Sequence, residues 1–132
     1  MKAKRLLKFY FSADELDRIL NCAITQTAAR AGRDMYGNCQ YYAEKICLII
    51  EAKNRLAEVW ARLDGVVSAL TERDRQTLKR YAAMRKGAAE SEKKELHRAV
   101  VKFMRRAEKI LADKEVFRLL GAYCCLLNPA PD

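Results

Sequence analysis

The chain has 132 residues, 51% of them hydrophobic and 33% charged, with a formal net charge of +9. That length is enough for one domain with its own core. Five glycines and two prolines, both prolines in the terminal Asn128-Pro129-Ala130-Pro131-Asp132, are too few to punctuate a many-turned β fold. No apolar run approaches the roughly 20 residues of a membrane span. The expectation is an all-α protein in which residues 1–132 form a single helical bundle, four to five helices around one long central helix at about 39–70, with a short tail at 128–132.

Residues 1–11 read as a basic arm, with Lys2, Lys4, Arg5 and Lys8 beside Leu6, Leu7, Phe9 and Phe11, which can anchor it to the body. Lys8 divides its apolar part and acidic residues follow, so it is not read as a secretory leader and the chain is read as cytoplasmic. Ser12-Ala13-Asp14-Glu15 has the spacing of a capping box and predicts a helix start. The helix that follows places Leu16, Ile19, Leu20, Ala23, Ile24, Thr27 and Ala28 on one face and ends near Gly32.

From Cys39 to Leu70 two apolar columns repeat every seven residues: Cys39, Ile46, Lys53, Trp60, Val67 and Tyr42, Ile49, Leu56, Leu63, Leu70. Only Lys53 interrupts them: it can snorkel out along its methylenes, which is the favoured accommodation, pair with an acidic neighbour, or mark where the helix leaves the core. Flanking Ala43, Ile50 and Ala57, and Ala52, Val59 and Val66, widen the apolar face, so several helices are expected to cover it. Glu44, Glu51 and Glu58 mark the solvent side, with Glu51–Arg55 and Glu58–Arg62 at ion-pair spacing.

Thr71-Glu72-Arg73-Asp74 is a second helix-start signal, and the helix it opens is predicted to run to Lys86 and stop at Gly87. The next helix, from about Ser91 to Ala112, shows Leu96, Ala99, Val100, Phe103, Ala107, Ile110 and Leu111 as one stripe. Lys94, Arg98, Lys102, Arg105, Arg106 and Lys109 run opposite it. The last segment, Asp113 to Leu127, is so apolar that neighbouring helices or a second subunit must cover it.

Charge is unevenly spread: +4 over residues 1–11, −1 over 12–70, +7 over 71–112 and −1 over 113–132. Such concentration creates a local field that attracts polyanions. Arg98, Lys102, Arg105 and Lys109, at steps of four, three and four, fall on one helix face and can follow a phosphate backbone.

Catalytic and cofactor signatures are absent from the sequence. The one histidine, His97, has Lys94 rather than Glu three residues before it, so it is not read as a metal ligand. Cys22, Cys39, Cys47, Cys124 and Cys125 form no Cys-x-x-Cys pair and are expected as reduced, buried thiols. No Gly-rich phosphate loop occurs. The expectation is a non-enzymatic module with no metal, cofactor or small-molecule substrate.

Leu70-Thr71-Glu72-Arg73-Asp74-Arg75-Gln76-Thr77-Leu78, followed by His97-Arg98-Ala99 and Arg105-Arg106-Ala107-Glu108-Lys109-Ile110-Leu111, resembles the DNA-binding region 4 of sigma-70-type transcription initiation factors. The likeness covers about a third of the chain and lacks the family's short scaffold helix. It implies transcription-associated DNA binding through the second of these helices. The leading expectation is therefore a nucleic-acid-binding module using Lys94, Arg98, Lys102, Arg105, Arg106 and Lys109, a surface that the basic arm Lys2, Lys4, Arg5 and Lys8 can extend. The alternative is a helical protein-interaction or homo-oligomeric assembly module, with the apolar final helix and central seam meeting a homodimer mate or a helical partner.

Overall fold

The computed structural model describes residues 2–34, 37–84 and 90–124. The fold is all-α. Seven helices are present among the described residues, where four to five were expected: α1 (Lys2–Phe11), α2 (Ala13–Arg33), α3 (Cys39–Ser68), α4 (Glu72–Ala83), α5 (Glu90–Arg106), α6 (Glu108–Leu111) and α7 (Lys114–Tyr123). The extra helices come from the amino-terminal segment and from a break at Ala107.

The amino-terminal segment is a docked helix rather than an arm. Ala3, Leu6, Leu7 and Phe9 are buried and join the main core, because that spacing places all four on one side of a helix. Its cations are tied down as well. Lys4 Nζ donates a 2.6 Å hydrogen bond to Met84 O just beyond the end of α4, where the helix dipole favours a positive charge. Lys2 and Arg5 lie over the ring of Phe117 in α7.

Ser12 does not form the expected capping box, and its side chain makes no cap hydrogen bond. The Ser12 amide instead donates to Lys8 O and Phe9 O, while Ser12 O accepts from the Leu16 amide, so α2 follows from α1 after a one-residue break. Gly37, with φ +72°, supplies the left-handed turn leading into α3.

The buried face of α3 is Ala52, Leu56, Val59, Leu63 and Val67, all from residue 52 onward. Of the flanking residues expected to be covered, Ala43, Ile50 and Ala57 are exposed. Trp60 sits at the core's edge, stacked on Tyr10 with ring centroids 5.4 Å apart, and its Nε1 donates to Tyr10 O at 3.1 Å. Lys53 does not snorkel free: it pairs with Asp17 Oδ1 at 3.4 Å and donates to Asn21 Oδ1, both on α2.

Packing is shared among helices rather than converging on α3 alone. The first helix packs chiefly on α4 and also on α3 and α2, while α5 packs on α4, α6 and α3. Thr71 caps α4 as expected, its hydroxyl oxygen accepting from the Asp74 amide at 3.2 Å. Helix α4 ends at Ala83, short of the expected Lys86; Arg85, Lys86 and Gly87 lie outside the described residues. Of the expected reduced and buried thiols, Cys22, Cys39 and Cys47 are free but exposed, and Cys124 is half-buried; Cys125 lies outside the described residues.

Candidate nucleic-acid interface

Helix α5 lays Ala99, Val100 and Phe103 into the core, and the stripe continues through Ala107 and Ile110 across the break into α6. Ala107 leaves helical geometry at φ −96°, ψ 14°, yet its amide still donates to Phe103 O and its carbonyl still accepts from the Leu111 amide, both at 2.8 Å. The expected continuous helix is therefore two pieces, α5 and α6, and Lys109 lies on the second of them.

Lys94, Arg98, Lys102, Arg105, Arg106 and Lys109 are all exposed. Lys94, Arg98 and Lys102 meet α4 across an open cleft of about 410 Å³, lined as well by Arg73, Asp74 and Glu95. Arg105, Arg106 and Lys109 lie beyond the cleft, towards and across the break.

The cleft is not uniformly positive. Lys102 Nζ lies 3.2 Å from Asp74 Oδ2, and Asp74 is 8% exposed, so this lysine is committed to a neighbour. Arg73 Nε lies 2.7 Å from Glu95 Oε1 across the cleft mouth. The two pairs hold α4 and α5 together and reduce the local field, each with modest strength at this exposure. Lys94, Arg98, Arg105, Arg106 and Lys109 have no ion pair among the described residues. Five of the six residues singled out in the sequence are thus available to an anionic ligand, and the sixth is held.

Arg73 belongs to this surface although the basic pattern of α5 does not include it. Its signal is its place in the first turn of α4, beside the cap, where a helix entering against α5 must bring it within reach of Glu95. The amino-terminal cations Lys4 and Arg5, expected to extend the surface, are spent on α4 and α7.

His97 is exposed, and among the described residues no group of three or more His, Cys, Asp or Glu side chains is placed to hold a metal ion. No described helix is long and apolar enough to cross a membrane. No protein-family model matches the chain, and searches of curated proteins and of solved structures give no match.

Proposed function

We propose that the protein binds nucleic acid through the exposed cations of α5 and α6, with transcription as the setting that the likeness of residues 70–111 to a promoter-binding region suggests. The observation that carries this reading is the set of five exposed cations, Lys94, Arg98, Arg105, Arg106 and Lys109, with no ion pair among the described residues, on two successive helices whose other sides are buried in the core. A rigid row of charges spaced along a helix meets successive phosphates without ordering long loops first. Recognition by such contacts follows the backbone and carries little sequence information.

The test is a titration of labelled random-sequence duplex with purified protein at about 50 and 200 mM salt. Binding that weakens steeply with salt, with a slope corresponding to about four to five released counterions, is the expected result. Absence of binding at the lower salt overturns the reading.

A further inference from the structure

Three of the four large hydrophobic residues most exposed among the described residues, Tyr41, Leu48 and Ile50, fall within ten positions of one another in the first half of α3. Tyr41 is 59% and Leu48 63% exposed. The two are seven residues apart, so they share one face of the helix, and Arg55, seven further on, shares it too. Ile50 points elsewhere.

This face leads directly into a groove. Where α7 lies along α3, an open groove of about 650 Å³ has an apolar side of Leu48, Ala52 and Val59 from α3 and Leu119 and Tyr123 from α7, while charged side chains, Arg55 among them, make up half of its lining. An exposed aromatic knob and a groove that is half apolar and half charged therefore sit on the same helix face, Tyr41 seven residues before Leu48 and Arg55 seven after it. That is the requirement of a two-fold interface, in which one surface must complement itself.

We propose that a second copy of this chain docks here, the two α3 helices antiparallel, with Leu48 beside the two-fold axis. Tyr41 of each copy then lies opposite residue 55 of the other and enters the groove between α3 and α7. Its ring meets Ala52 and Val59, with the Arg55 guanidinium in reach of its face. An aromatic anchor filling a pocket is the contact type that dominates association energies.

Charge selects the occupant. Residues 21–51 carry three basic and three acidic side chains, a net of zero, whereas the rest of the chain carries the whole +9. Two molecules of this charge repel each other at most orientations, and the neutral stretch of α2 and α3 is where they can approach. The carboxy-terminal residues 125–132 are the other candidate cover. The Leu48 variants below separate that occupant from a second copy.

The contact is one helix face and one groove, at the low end of interface size, so dissociation constants in the micromolar range are expected. The dimer is independent of nucleic-acid binding, which uses α5 and α6.

Sedimentation equilibrium of the full chain from about 1 to 200 μM tests it, a range that brackets a weak interface. Mass rising with concentration towards twice 15.1 kDa is expected. Leu48→Glu and Leu48→Lys, each at an exposed position that leaves helicity unchanged, are both expected to be monomeric. Mixed in equal amounts they are expected to regain the dimer mass, because the opposite charges meet across the two-fold. Tyr41→Ala should weaken the wild-type dimer at least tenfold.

A wild-type chain that stays at 15.1 kDa throughout the range overturns the proposal. So does a mixture of the two Leu48 variants that stays monomeric while the wild type dimerises. A monomer in which Leu48→Glu lowers the unfolding midpoint assigns the face to the chain's own carboxy terminus instead.

Discussion

The Tyr10 hydroxyl donates a 2.6 Å hydrogen bond to Asp64 Oδ1, fastening the end of α1 to α3. Ser68 donates to the same oxygen at 3.3 Å, and the Tyr10 ring is stacked against Trp60. A basic segment that would repel the rest of a +9 chain is held in place by this partly buried polar contact together with four buried apolar residues.

The Tyr10 phenol is pushed up to about 12, first by burial and then by its bond to the Asp64 carboxylate. An unfolded tyrosine ionises near 10. Between about pH 10 and 12 the unfolded chain therefore loses this proton while the folded chain keeps it, and stability falls as pH rises through that window. Ultraviolet titration of the wild type should show a late phenol that is absent in Tyr10→Phe. In denaturant titrations at neutral pH the same substitution is expected to cost about 1–2 kcal/mol, the loss of a hydrogen bond to a charged acceptor.

Arg62 reaches Asp113 rather than Glu58. Asp113 Oδ2 lies 3.2 Å from Arg62 Nη1, and Oδ1 accepts the Glu115 amide at 3.0 Å, so one carboxylate both caps α7 and ties it to α3. The Arg62 hydrogen bond holds this carboxyl below its ordinary value. A carboxyl depressed in the folded state stabilises it above the unfolded value and loses that contribution as pH falls below about 4. Asp113→Asn should keep part of the cap and Asp113→Ala none. Thermal midpoints at pH 7 are expected in the order wild type, Asn, Ala, with the wild type approaching Asn as the pH is lowered below about 4 while Ala stays lowest.

Much of the fold was legible because helical patterning and local signals agree. Thr71 and Gly37 act as their residue types require, and the start of α3 at Cys39 and its end near Leu70 follow the heptad columns. What the sequence could not convey was tertiary choice. Glu58 offered Arg62 a partner at the right spacing, but only the fold brings Asp113 to the same guanidinium. Likewise the charges of Lys2, Lys4 and Arg5 look like a ligand surface in the sequence, and the fold turns them onto Phe117 and Met84. The exposed cations of α5 were legible because their spacing matches the helix. The pairing of Lys102 with Asp74 was not, because Asp74 sits 28 residues earlier on another helix.

Phe103 is fully buried where α5 meets the core. Phe103→Ala removes a ring that neighbours cannot replace and is expected to cost about 3–5 kcal/mol. Arg98→Glu, on the exposed side of the same helix, should change stability by no more than about 0.5 kcal/mol. Chemical denaturation of the two variants separates the packing side of α5 from its solvent side before any ligand is added.

The pairing of Lys102 gives the nucleic-acid reading its most specific test. Arg98 has no ion pair among the described residues, so Arg98→Ala should remove one phosphate contact and lower the salt slope by about 1. Lys102 is held by Asp74, so Lys102→Ala should lower the slope by less than Arg98→Ala and weaken binding less. Releasing the lysine reverses the sign: Asp74→Asn keeps a polar group of the same shape but removes the negative charge from the cleft, and affinity for duplex should rise. The same variant loses an ion pair between α4 and α5, so its folded fraction is checked by circular dichroism first. Equal losses from Arg98→Ala and Lys102→Ala, with no gain from a folded Asp74→Asn, would mean that the cleft between α4 and α5 does not face the ligand.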